Sequence, residues 1–134
     1  MLTQPQLAKQ MGIRPNQVIL PIDAPEDYLD LLGRLPEGVR LATQASEQID
    51  AIHAFVRTTE ELTAIAPQVM AAITPGCIVW IAYPKIVTKN TDLNRETMWT
   101  ALSVYDWRPV TLVSLNSYWS AMRYRPEGVV QRTR

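Results

Sequence analysis

The stretch Val18-Ile19-Leu20-Pro21-Ile22-Asp23-Ala24-Pro25-Glu26-Asp27-Tyr28 decides the fold of this 134-residue chain. A short apolar run leads into a turn and then into a helical pattern. Ala24, Tyr28, Leu31, Leu32 and Leu35 recur at helical spacing, with Glu26, Asp27, Asp30 and Arg34 on the other faces. A first strand over 17–22 therefore feeds straight into a helix, and in open α/β sheets ligands bind at the carboxyl ends of such strands. Many α/β proteins place a glycine-rich loop at this point, against a phosphate or carboxylate. Here no glycine stands between Val18 and Leu32. Asp23 followed by Glu26 reads as a capping pair, and Pro25 suits the first helical turn. Pro21 has no N–H for the ladder, so the strand is expected to end early or to be irregular near its carboxyl end.

Upstream, Thr3 with Gln6 is a capping-box signature for a short helix whose apolar face is Leu7, Ala8 and Met11, with Gly12 as its stop. Downstream, 39–43 is a brief second strand and 44–48 a polar loop. Residues 49–56 are apolar with little alternation, the pattern of a central strand covered by helices on both faces. Thr58 with Glu61 caps a helix carrying Leu62, Ile65, Val69 and Ile73, which Pro67 is expected to kink. Residues 77–83 form a second central strand. Asp92 can cap a helix with Met98, Ala101, Leu102 and Tyr105 on one face, ended by Trp107-Arg108-Pro109. Val110, Leu112 and Leu115, the turn Asn116-Ser117 and the alternation over 119–124 predict a closing hairpin. The whole reads as one three-layer α/β sandwich with a Rossmann-like, mostly parallel sheet, a C-terminal antiparallel hairpin and the strand order 2-1-3-4-6-5. The polar, basic end, 126–134, is expected to be partly disordered.

Composition narrows the function classes. Nearly half the residues are apolar (47%) and the formal net charge is zero, which argues against disorder and against charge-driven binding to nucleic acid or membrane. The first 50 residues carry 7 acids and 4 bases and the remainder 6 acids and 9 bases, a mild asymmetry. The lone Cys77 precedes Ile78-Val79-Trp80-Ile81 and reads as a small buried hydrophobe. No apolar run reaches the ~20 residues of a membrane span, and the polar start lacks the blocks of a signal peptide, so a cytoplasmic setting is the expectation. One histidine and one cysteine cannot supply the usual metal-ligand set.

The βα alternation closing with an antiparallel pair resembles the class I S-adenosylmethionine-dependent methyltransferase fold, in which the last strand runs antiparallel between its neighbours. Asp50 opening an apolar strand, Pro75-Gly76 ending a helix and Tyr83-Pro84 ending a strand are similar to that fold, as is the lead-in Gly12-Ile13-Arg14-Pro15. About nine-tenths of the chain also resembles a small bacterial family of unknown function. The residues that carry this second likeness are Gly12-Ile13-Arg14-Pro15, Ala24-Pro25-Glu26-Asp27-Tyr28, Leu35-Pro36-Glu37-Gly38-Val39, Phe55-Val56-Arg57, Pro84-Lys85, Thr91-Asp92-Leu93 and Trp119-Ser120. That family brings no activity with it. Methyltransferases use glycines in the first loop and an acid at the end of the second strand, whereas this chain has Asp23-Ala24-Pro25 and Thr43-Gln44, and one βα unit is missing.

The carboxyl edge of the predicted sheet collects Asp23, Gln44, Arg57, Lys85 and Asp92. Arg57 and Lys85 follow adjacent central strands, about 5 Å apart at the backbone, and the Asp23-capped helix end points the same way, so an anionic ligand would meet two cations and a helix N-terminus. His53 reads as a core histidine with a backbone partner, since no nucleophile or paired acid stands at a recognisable spacing. Trp99, Trp107, Tyr118 and Trp119 read as core and hairpin packing, with a partner surface around Trp119 as the alternative. The sequence thus favours a non-catalytic binding or regulatory module acting on a protein partner or a small anionic ligand, without cofactor; homo-oligomers remain open. The alternative is a small, atypical methyltransferase with an unorthodox cofactor site, and weak nucleic-acid binding ranks third. On the first reading S-adenosylmethionine and nicotinamide dinucleotides bind more weakly than about 1 mM.

Overall fold

The computed structural model describes residues 4–43, 48–73, 76–85, 91–102 and 107–126. Its elements run α1 (Gln4–Gln10), β1 (Val18–Ile22), α2 (Tyr28–Leu32), β2 (Arg40–Leu41), β3 (Ala51–Phe55), α3 (Thr59–Ala72), β4 (Ile78–Pro84), α4 (Arg95–Leu102), β5 (Trp107–Ser114) and β6 (Trp119–Pro126). The six strands form one mixed sheet in the order β2-β1-β3-β4-β6-β5, as the sequence predicts. Pairs β1–β2, β1–β3 and β3–β4 are parallel, while β6 runs antiparallel between β4 and β5.

Strand β3 is buried at every residue, yet its side chains still sort by the two-residue period of a strand. Ile52 and Ala54 join Val79 and Ile81 against α3 and α4, packing on Leu62, Ile65, Val69, Met98 and Leu102. Ala51 and Phe55 join Trp80 and Ala82 on the other face, against Leu7 and Ala8 of α1, Met11 just after it, and Tyr28 and Leu32 of α2. Two helical layers therefore sandwich the sheet. Pro21 is tolerated inside β1 because β2 pairs only with Val18 and Ile19, so beyond Ile19 that side of β1 needs no ladder donor.

The helix ends correct two expectations. Asp23 caps nothing: α2 is five residues long, its N-cap is Asp27 without a side-chain bond, and Asp23 takes a left-handed φ of 53°. An Asp-x-x-Glu spacing fits a capping pair and also a tight turn at a strand end, where aspartate is among the few side chains that tolerate positive φ. Asp92 likewise does not cap α4. Asn94 does, its Oδ1 accepting the Thr97 N–H at 2.9 Å while Thr97 Oγ1 accepts the Asn94 N–H at 2.9 Å. Asp92 Oδ1 accepts instead from the N–H of Thr59, 2.8 Å away, and so ties the segment before α4 to the first turn of α3.

The Thr58 cap of α3 is as expected, Thr58 Oγ1 accepting the Glu61 N–H at 3.1 Å, and α3 runs unbroken through Pro67. Trp107-Arg108-Pro109 begins β5 rather than ending α4. Pro109 lies at a register shift on this outermost strand, where a missing N–H costs little. Residues Arg108 to Leu112 of that strand are exposed, Val110 and Leu112 among them. In the hairpin turn, Asn116 Oδ1 accepts the N–H groups of Tyr118 and Trp119 at 2.8 and 2.7 Å. Thr3, Gln44, Thr74, Pro75, Tyr105 and the tail beyond 126 lie outside the described residues.

The Asp92 bond yields a first test. Asp92→Ala leaves the first turn of α3 with one donor fewer satisfied and is expected to lower unfolding free energy by about 0.5–2 kcal/mol, read from the denaturant midpoint. An unchanged midpoint would remove the tie from the account of stability.

Candidate functional site

Strand β1 continues to β2 on one side and the chain then crosses to β3 on the other, so the order reverses between β1 and β3. Open α/β sheets bind ligands outside the carboxyl ends of the strands at such a reversal. A cleft of about 650 Å³ lies there, lined by Asp23, Ala24, Pro25 and Glu26 after β1 and by Arg57 and Glu61 after β3. The left-handed turn at Asp23 carries the chain out of the sheet within one residue of Ile22, which brings the exposed Asp23 and Glu26 to the rim. Glu61 comes from the first turn of α3, where its Oε1 accepts the N–H of Arg57 at 2.8 Å. The guanidinium of Arg57 lies 5.3 Å from the centre of the Trp119 ring, a cation–π contact that fixes its direction. Three carboxylates and one guanidinium thus line the cleft.

The predicted partners separate. Lys85 does not line this cleft: its Nζ donates to Ser114 Oγ at 2.6 Å and its N–H to the Tyr118 carbonyl at 2.8 Å. It borders another hollow, with Leu7, Gln10, Leu112 and the hairpin turn. Asp92 is committed to Thr59. Trp119 is buried, 5% exposed, edge-on to Phe55 at 5.1 Å, so it is a platform under Arg57 and not an exposed partner surface. Trp107 is also buried, and only Trp99, 50% exposed on α4, meets solvent broadly. Glu26 and Glu61 were missed as site residues because each stands three residues after a capping-type residue, which already accounts for it.

His53 departs from expectation in its partner. It is 2% exposed, and its Nδ1 bonds the Tyr28 hydroxyl at 2.8 Å, while Nε2 has no partner among the described residues. Burial lowers its pKa from 6.5 to about 4 and raises that of Tyr28. A neutral imidazole enclosed between β1 and β4 reaches no solvent, so this pair belongs to the scaffold beneath the cleft. No group of three or more metal-ligating side chains occurs among the described residues.

No family model matches the chain, and no curated protein matches its sequence. Solved structures do. The DhpI-SAH complex superposes with TM-score 0.60 at 13% identity, over 91% of this chain and 83% of that one. An S-adenosylmethionine-dependent methyltransferase from Aquifex aeolicus gives 0.58 at 10% identity, over 90% and 88%. A protein of the NAD-binding Rossmann superfamily from Streptococcus agalactiae gives 0.56 at 10%, over 94% and 69%. The fold is methyltransferase-like. At these identities the likeness concerns the fold alone, and what the edge of the sheet does rests on its own residues. No helix among the described residues is long and apolar enough to cross a membrane.

Proposed function

We propose that this protein is a small, atypical S-adenosylmethionine-dependent methyltransferase that receives its cofactor in the cleft between β1 and β3. The observation that carries this reading is the charge of the cleft, three carboxylates against one guanidinium, at the reversal point of a methyltransferase-like sheet. S-adenosylmethionine bears a sulfonium and an ammonium cation with one carboxylate. Asp23, Glu26 and Glu61 suit the cations and Arg57 suits the carboxylate. Pyrophosphate-bearing dinucleotides would face repulsion there. When bound, the cofactor supplies an electrophilic methyl group. The chain itself supplies position: the Trp119 platform orients Arg57, and the Arg57 N–H holds one carboxylate oxygen of Glu61 at the cleft.

Calorimetric titration tests this. S-adenosylmethionine is expected to bind with a dissociation constant below about 1 mM and more tightly than the uncharged-sulfur SAH. Asp23→Asn, which keeps a residue that tolerates the left-handed φ, and Glu26→Gln are each expected to weaken binding about three- to tenfold, with melting temperatures nearly unchanged.

One observation favours a second reading, a non-catalytic binding module. Pro25 offers no N–H to a cofactor carboxylate, and the Asp23 side chain stands where a glycine would let the backbone approach. Binding weaker than about 1 mM for both S-adenosylmethionine and SAH would establish that reading over the first.

A further inference from the structure

At the opposite, amino-terminal edge of β1 lies a second cleft of about 520 Å³, between the end of α1 and the segment that follows α2. Its floor is apolar, formed by Ala8, Ile13, Leu35 and Pro36, and its charged lining is Lys9, Arg14 and Arg34 with no acidic side chain. All three cations are exposed.

Basic residues at helix carboxyl ends often serve only to answer terminal carbonyls. Here several of those carbonyls are already answered. The Leu7, Ala8 and Lys9 carbonyls accept from the N–H groups of Met11, Ile13 and Gly12 at 3.0, 3.0 and 3.1 Å, and the Leu29 carbonyl of α2 accepts from Gly33 at 3.0 Å. The Met11 carbonyl takes the indole N–H of the buried Trp80 at 2.9 Å. The walls are also fixed to each other: the Asn16 N–H donates to the Glu37 carbonyl at 3.0 Å, and Asn16 packs so closely on Gly38 that no Cβ fits between them. Three cations therefore surround a preformed hollow, and among the described residues none of their side chains is hydrogen-bonded to the helix ends.

We propose that this cleft is a second ligand site, for a small molecule that joins a phosphate group to an apolar or aromatic body of nucleotide size. Two guanidinium forks match phosphate oxygens in pairs, the ammonium of Lys9 adds a point charge, and the apolar floor receives the rest of the ligand. The volume falls in the usual range of small-molecule sites, about 300–1,000 Å³. β1 separates this site from the acidic cleft, so each can be tested without the other.

The probe is adenosine monophosphate, titrated into the full chain and followed by amide chemical shifts, with inorganic phosphate and adenosine as the separated halves. Adenosine monophosphate is expected to shift Gly12, Ile13 and Arg34 saturably below about 1 mM, and each half to bind more weakly. Arg14→Met and Arg34→Met should each weaken it about tenfold, with Arg14→Lys intermediate because it keeps charge and loses the fork. Arg57→Met, in the other cleft, should leave the adenosine monophosphate shifts and affinity unchanged. The proposal is overturned if the shifts centre on Asp23 to Glu26, if the Arg14 and Arg34 variants bind as well as the parent, or if no saturation occurs by about 10 mM. It is equally overturned if a single-stranded RNA oligonucleotide binds with a steep salt dependence while the mononucleotide does not saturate, since the surface then follows a phosphate backbone.

Discussion

Acidification from pH 7 to pH 4 is expected to remove about 3 kcal/mol of folding stability through His53 alone, and the loss is expected to disappear in His53→Asn. Burial holds the folded imidazole neutral down to a pKa of about 4, whereas in the unfolded chain it takes a proton near 6.5. Between those values the unfolded chain binds more protons than the folded one, so stability falls as the pH falls. The contribution is fully present above about pH 6.5 and fully lost below about pH 4. Among the described residues the one partner bonded to the ring is Tyr28, whose pKa burial raises, so that partner does not titrate in this window. Asparagine keeps a polar atom near Nδ1 for the Tyr28 hydroxyl and cannot ionise. Urea midpoints of the two proteins across pH 4–7 make the comparison, and parallel acid limbs would show that His53 is not the group responsible.

The second large effect is expected at Trp80. It is 1% exposed in the middle of β4 and its indole N–H is bonded to the Met11 carbonyl. Trp80→Ala leaves a cavity and should cost about 3–5 kcal/mol, a large share of the 5–15 kcal/mol typical of a domain. Trp80→Phe separates packing from hydrogen bonding. It should cost about 1–3 kcal/mol and speed amide exchange selectively in α1, because the Met11 carbonyl is then buried without its donor. If Trp80→Phe is nearly neutral and exchange in α1 is unchanged, the indole bond is not what holds α1 to the sheet.

Much of this architecture is legible in the sequence because its strongest signals are local. The unalternating runs around Ile52 and Val79 mark doubly covered strands, and Asn116-Ser117 between apolar arms marks a hairpin, which together leave little freedom in strand order. The failures occur where two structures share one residue pattern. Asp23 and Asp92 both precede helical patterns, and only backbone geometry and a contact spanning 33 residues show that one makes a turn and the other braces a different helix. Trp119 reads as core packing with a partner surface as the alternative, and only setting β6 between β4 and β5 decides for the core. Asp23 and Arg57 are legible at one edge of the sheet because each follows a strand, whereas the acidic character of the cleft was hidden, since Glu26 and Glu61 read as capping partners. The basic cleft was hidden because Lys9 and Arg14 around the end of α1 meet Arg34 after α2 only through the tertiary packing.

The outer strand β5 bears on how this protein behaves when concentrated. A long terminal strand with apolar side chains in solvent is a growth template onto which another molecule's strand can add, repeating until fibres form. Pro109 offers no donor to an incoming strand, the register shift beside it spoils the even spacing that stacking requires, and Arg108 and Arg125 put like charges at the same end of the hairpin. Substituting Pro109 with valine would therefore leave the monomer's core untouched while removing its chief protection against fibrillation.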